Sequence, residues 1–364
     1  MKRPVNRPLH GGNLVWAASL ANCSPSTILD FSASINPLGP PESAIATLQT
    51  HLASLKAYPD PQYHQLRSAL GQFHGLSSDW VLPGNGTAEL LTWACRELSE
   101  LDFAALLTPA FGDYWRALKA FDARILPFPM KEFGRQMVDF ESISWNFDLD
   151  NLSRAGLLLN NPHNPTGILL TKEALLSQLT RWALVVVDEA FMDFLLPEEQ
   201  QSVIDQVQTH PNLVILRSLT KFYSLPGLRL GYAIAHPDRL QRWQQWRDPW
   251  SVNTLAAAVG EVVVQDHEFQ QQTWNWLAKA KPLLYQGLAQ LPGLTPFPGA
   301  ANFLLVQSAH SVTELQTALL KRHQILIRDC LSFPELGDCY FRVAIRSEPE
   351  NQRLLVGLAE ILCS

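Results

Sequence analysis

Leu216-Arg-Ser218-Leu-Thr220-Lys221-Phe-Tyr-Ser-Leu-Pro226-Gly-Leu-Arg229-Leu-Gly-Tyr232 decides how the rest of the chain is understood. Apolar runs flank it, Leu213–Leu216 before and Leu228–Ala235 after, so it reads as a loop between two buried strands. The loop carries two hydroxyls (Ser218, Thr220), one amine (Lys221), a Pro-Gly pair and a guanidinium (Arg229). An amine can condense with an aldehyde, while hydroxyls and a guanidinium take a phosphate. Nearby positive charge from Arg229 also favours the uncharged, attacking form of Lys221. Together these are the groups that hold pyridoxal phosphate.

The same stretch resembles the Schiff-base segment of fold-type I pyridoxal-phosphate enzymes. Within them it is similar to the branch that contains histidinol-phosphate aminotransferases and threonine-phosphate decarboxylases. The resemblance implies an α/β fold, with a large cofactor lobe built on a mainly parallel sheet (residues 42–248). A smaller α+β lobe would come from residues 1–41 and 249–364. Other motifs fall in the family's order along nearly the whole chain.

Moving outward toward the N-terminus, Leu184-Val-Val-Val-Asp188-Glu189 is a buried strand that ends in acids. A carboxylate leaving an apolar strand needs a partner. The resemblance makes Asp188 the partner of the protonated pyridine nitrogen; paired acids of this kind can alternatively ligate magnesium. At position 191 many transaminases of this group carry tyrosine, whereas this chain has Phe191, which cannot donate a hydrogen bond. Ala155–Leu159 is another apolar strand, followed by Asn160-Asn-Pro-His-Asn164-Pro165-Thr-Gly167. That rigid turn lies where open α/β sheets bind ligands, and the family uses Asn164 as donor to the ring's phenolate oxygen. Strand Ala104–Leu107 leads to Phe111, expected against the face of the pyridine ring.

Val81-Leu-Pro-Gly84-Asn85-Gly86-Thr87 reads as a glycine-rich turn entering a helix over Thr87–Leu98. A helix N-terminus offers unpaired amides and partial positive charge, so Gly86 and Thr87 are expected to complete the phosphate cup. The third glycine of a dinucleotide fingerprint is missing, with Glu89 in its place. Tyr58-Pro-Asp-Pro61 is a turn, and the resemblance sends Tyr58 to the cofactor phosphate of a neighbouring subunit, implying a homodimer with shared sites.

Two segments near the start bear on the substrate. His10-Gly11-Gly12 lets backbone amides approach an anion, with His10 as a further donor. Phe31–Gly39 is extended, and the family passes it over the site; Ser34 stands where the decarboxylase pattern has asparagine, and its hydroxyl can still bond an anion. Near the C-terminus Arg328 and Arg342 sit on strands among apolar residues, where an unpaired guanidinium is costly. A bidentate fork waiting for an anionic substrate resolves that cost. By resemblance Arg342 takes an amino-acid carboxylate and Arg328 the substrate's other anionic end. Arg346 is expected in an internal ion pair.

Bulk properties narrow the class. The chain has 364 residues, 47% hydrophobic and 17% charged, with a net charge of −6. That balance argues against a general nucleic-acid or anionic-membrane surface. Five cysteines without a Cys-x-x-Cys pair suit reduced thiols in a cytoplasm. The basic start Met1–Pro8 has no apolar run behind it, so no secretory signal is expected, and no run approaches a membrane span.

The leading expectation is pyridoxal-phosphate-dependent decarboxylation of a small phosphorylated amino acid, L-threonine O-3-phosphate. The His-Gly-Gly-Asn start, Phe191, Pro249-Trp-Ser-Val-Asn253 and Phe341-Arg-Val-Ala-Ile-Arg-Ser347 carry that resemblance. The alternative is histidinol-phosphate transamination. A non-catalytic sensor built on the same fold is the third reading, and retention of the lysine, acid, phosphate cup and arginines speaks against it.

Overall fold

The apolar runs do become the centre of the molecule. A computed structural model describes residues 7–130, 136–138 and 152–363; the basic start at Met1–Asn6 lies outside them. A seven-stranded sheet runs in the order Val81–Asn85, Leu230–Ala235, Leu213–Ser218, Leu184–Asp188, Gly156–Asn160, Ala104–Thr108, Ile125–Pro129. Leu230–Ala235 is antiparallel to both neighbours and the remaining pairs are parallel. Strands Leu184–Asp188 and Leu213–Ser218 are buried at every position. Helices on both faces of a parallel sheet require such unbroken apolar runs.

Val81–Asn85, expected as a turn, is instead an edge strand paired with Leu230–Ala235. Pro83 lacks an N–H, which an edge strand tolerates. The Lys221 stretch, expected as a loop, forms a one-turn helix over Leu219–Phe222. Ser218 caps it, its Oγ accepting from the Thr220 amide at 3.4 Å.

A second, four-stranded sheet is antiparallel, in the order Leu294–Pro296, Phe303–Ser308, Tyr340–Ala344, Arg328–Asp329. Leu29–Asp30 pairs in parallel with Ile325–Leu326, so residues from both ends of the chain meet beside this sheet. Helix Thr254–Val263, expected in the smaller lobe, packs instead against the larger sheet. A Cβ on its Gly260 would stand 2.6 Å from Leu230 Cδ2 and 2.7 Å from Leu66 Cδ1, so this contact requires glycine. Among the described residues no helix is long and apolar enough to cross a membrane.

Candidate active site

Register brings the polar strand ends together. Asn160 is paired with Asp188, and Asp188 with Leu216, two residues before Ser218. These are carboxyl ends of parallel strands, the edge where open α/β sheets bind ligands. A cleft of about 230 Å³ opens there, and Lys221, Asp188, Ser218, Thr220, Arg229, Thr87, Phe111, Asn164, Ser34, His10, Gly11 and Arg342 all line it.

Burial pushes the Lys221 amine down to about 8, with Arg229 and then Arg342 adding to the effect and Asp188 opposing it. The sequence credits Arg229 with this; loss of hydration is the larger cause. Asp188 is held at both oxygens. Oδ2 accepts from the Tyr114 hydroxyl at 2.8 Å and Oδ1 from the Ala190 amide at 3.0 Å. Burial nevertheless raises its carboxyl to about 6, opposed by the Tyr114 and Ala190 hydrogen bonds and by Lys221. The adjacent acid goes elsewhere: Glu189 is fully buried and ion-paired to Arg217 at 2.9 Å, and Asp193 pairs with the same guanidinium. Asp188 therefore enters the cleft without its neighbour, unlike a two-acid magnesium site.

One part of the cleft is a cradle for an anion. Helix Thr87–Ser99 points its N-terminus here, with Gly86 at the cap and no side chain bonding its first amides. Gly86 has φ +73, and a Cβ on it would stand 2.5 Å from Arg229 Nη2. A Cβ on Gly231 would stand 2.6 Å from Thr87 Oγ1. Glycine at 86 keeps the space beside the Arg229 guanidinium clear, and glycine at 231 lets the helix end close against its strand. The Ser218 and Thr220 hydroxyls, 2.7 Å apart, add donors. Gly86 shapes this cradle from behind and does not line the cleft itself.

Another part presents a buried guanidinium. Arg342 donates to Asn164 Oδ1 through Nη1 and to the Ser32 carbonyl at 3.4 Å through Nη2, while its buried Nε has no partner. It lies 4.7 Å over the Phe303 ring. Asn164, its oxygen taken by Arg342, offers its Nδ2 amide as donor. The Ser34 hydroxyl is 2% exposed and unpartnered. Two orphaned polar groups in a cleft are costly unless a ligand satisfies them. Phe191 is buried against Phe303, edge to face at 5.1 Å, and forms an apolar wall.

The His10 ring lies 5.4 Å from Phe111, and burial holds it below the usual histidine range. Gly11 is needed where it stands, because a Cβ would be 2.2 Å from the Ser32 carbonyl oxygen. Arg328 does not line the cleft, although its Cα is paired with that of Arg342. Its guanidinium holds the incoming chain, donating to the Pro8 and Leu9 carbonyls and to Ser332 Oγ at 2.6 Å. It borders a smaller cavity that shares His10, Gly11 and Ser32 with the cleft. Tyr58 is 80% exposed and stacks near Trp250 at 4.7 Å, outside this chain's own cleft. Arg346 pairs with Glu350 at 2.7 Å, the internal ion pair expected of it.

Sequence reasoning missed Tyr114, Ser32 and Asp113, which also line the cleft. Tyr114 had one local signal, its place three residues after Phe111.

Pyridoxal phosphate fits this set: a desolvated amine, a carboxylate with fixed orientation, an aromatic face and a glycine-cleared anion cradle share one cleft. Comparison with known proteins agrees. The aminotransferase class I and II family matches residues 26–358. The threonine-phosphate decarboxylase of Salmonella typhimurium is 41% identical over 359 residues, covering 97% of this chain and 96% of that one. A histidinol-phosphate aminotransferase of Symbiobacterium thermophilum is 33% identical, covering 90% of this chain and 88% of that one. The crystal structure of the Sinorhizobium meliloti histidinol-phosphate aminotransferase in complex with pyridoxal-5'-phosphate shares the fold, with a TM-score of 0.84 at 21% identity, covering 100% of this chain and 98% of that one. With a match that spans most of its length and a relative this similar from end to end, the chain belongs to the aminotransferase class I and II family.

Proposed function

We infer that the protein is a pyridoxal-phosphate-dependent decarboxylase that converts L-threonine O-3-phosphate to aminopropanol phosphate and CO2. The observation that carries the reading is Arg342: buried, 9% exposed, with an unpartnered Nε and no carboxylate paired to it among the described residues. A guanidinium in that condition is completed by a carboxylate on a substrate. The relative that is 41% identical is a threonine-phosphate decarboxylase.

Bound, the cofactor supplies an electron sink for the pair left on the substrate's α-carbon when its carboxylate departs. Lys221 Nζ would hold the cofactor, and the same buried amine is placed to carry the proton that replaces CO2 at the substrate's α-carbon. Asp188, its carboxylate oriented by Tyr114 and Ala190, would partner the ring nitrogen and keep it protonated. The amides of the Thr87 turn, Ser218, Thr220 and Arg229 would hold the cofactor phosphate. Arg342 fixes the substrate carboxylate, which selects the bond that breaks. His10, the Gly11 backbone and Ser34 border the space for the substrate's phosphate, and Phe191, packed on Phe303, gives the cleft an apolar wall without a donor.

The same proposal includes a homodimer, with Tyr58 reaching the partner's cofactor phosphate. Its exposure and the exposed Leu52 and Leu55 nearby in sequence support this. Five free cysteines support a reducing, cytoplasmic setting. Mass analysis after incubation with cofactor and L-threonine O-3-phosphate tests the function: aminopropanol phosphate is expected, and unchanged substrate would refute it.

A further inference from the structure

Tyr114 stands three residues after Phe111, on helix Gly112–Lys119. Phe111 is the N-cap of that helix, and the two rings meet edge to face, 5.6 Å apart at 86°. Tyr114 is 2% exposed, and its hydroxyl reaches across to a different element to donate to Asp188 Oδ2. With the Ala190 amide on Oδ1, each carboxylate oxygen carries one donor. Two such bonds block rotation of the carboxylate and leave its remaining lone pairs with fixed directions. A single buried side chain thus braces both the aromatic face and the acid on which the cofactor reading depends.

We propose that Tyr114 is a positioning residue that holds Asp188 as an oriented carboxylate for the cofactor's ring nitrogen and props Phe111 against the ring's face. This rests on the pyridoxal-phosphate part of the reading above and not on the identity of the substrate.

The charged and titratable groups near the pair give the sign of the effect. Asp188 is influenced by Tyr114, Lys221 and Asp113, and Tyr114 by Asp188, Cys95 and Asp113. Burial pushes both the Tyr114 phenol and the Cys95 thiol upward, so both stay protonated and neutral. Asp113 is ion-paired with Arg116. Donation from the phenol lowers the Asp188 carboxyl pKa, so removing it raises that pKa. More Asp188 is then protonated at a given pH, and the loss grows as pH falls.

The test is the dissociation constant of pyridoxal phosphate for the cofactor-free protein, followed by absorption from about pH 6 to about pH 9. Wild type, Tyr114→Phe, Asp188→Asn and the double variant are compared. Tyr114→Phe keeps the ring and is expected to weaken binding about 10-fold near the acid end, shrinking to about 3-fold or less at the alkaline end. The double variant should bind no more weakly than Asp188→Asn. Tyr114→His restores an N–H donor and should recover part of the acid-end loss. A weakening that is the same at every pH, that adds to the effect of Asp188→Asn, or that histidine does not relieve overturns the proposal. If wild type loads cofactor and the profile is flat, Tyr114 alone has been misjudged; if wild type takes up none, the cofactor reading falls with it.

Discussion

Replacing Arg342 by alanine isolates the contact assigned to the substrate carboxylate. In the structure this guanidinium has one short contact to Asn164, a long one to the Ser32 carbonyl, and an unpaired Nε. Two charge-assisted hydrogen bonds to a carboxylate are worth about 1.5–3 kcal/mol each, so losing the fork costs roughly 3–6 kcal/mol in the transition state. That is a fall in kcat/KM of about 10²–10⁴-fold. Folding should hardly change. The variant loses the cation over Phe303, but it also loses a buried charge without a carboxylate, and the two offset to within about 1 kcal/mol. Arg342→Lys keeps a charge without the fork and should fall between wild type and alanine. The assay is decarboxylation of L-threonine O-3-phosphate and of L-threonine by each protein, alongside thermal unfolding. Both substrates present the carboxylate, so both rates should drop by similar factors. A loss below about 10-fold, or one confined to the phosphorylated substrate, would refute the reasoning.

The rate at which the cofactor-free protein captures pyridoxal phosphate should fall as pH drops below about 8, because burial, Arg229 and Arg342 place the Lys221 amine there and only the free amine attacks. Arg229→Gln removes a positive neighbour, raises that pKa and moves the profile to higher pH; an unmoved profile contradicts the charge argument. Arg217→Ala leaves Glu189 and Asp193 buried without their shared cation and should destabilise the fold by about 3–5 kcal/mol in chemical denaturation. Loss under about 1 kcal/mol would mean that the network contributes little. Mixing inactive Lys221→Ala with a nearly inactive Tyr58 variant should restore activity in verified mixed dimers, and no recovery would reject the shared site.

Much of this was legible in the sequence because the decisive strands are short continuous apolar runs that end in polar residues. Leu184–Asp188 shows both features, so the strand and its terminal acid were readable together. The motif Ser218–Arg229 announced the cofactor chemistry because the lysine, hydroxyls and arginine are close in sequence. What stayed hidden depends on contacts between distant segments. Val81–Asn85 looks like a turn from its proline and glycine, and only the edge position beside Leu230–Ala235 allows it to be a strand. Asp188 and Glu189 are adjacent, yet strand alternation sends one to the cleft and the other to Arg217. Arg328 and Arg342 look alike on their apolar strands, but the carbonyls that take up Arg328 belong to Pro8 and Leu9, more than three hundred residues earlier. Tyr114 had only its nearness to Phe111 as a local signal. Its role follows from where strand Leu184–Asp188 ends.

This cleft is expected to remove a carboxylate instead of moving an amino group. Purified protein loaded with pyridoxal phosphate is given L-threonine O-3-phosphate in one reaction and histidinol phosphate with 2-oxoglutarate in another, and released CO2 and formed glutamate are measured in both. CO2 from threonine phosphate and little glutamate from the second mixture are expected. Glutamate formation with no CO2 would contradict this and make the protein a transaminase.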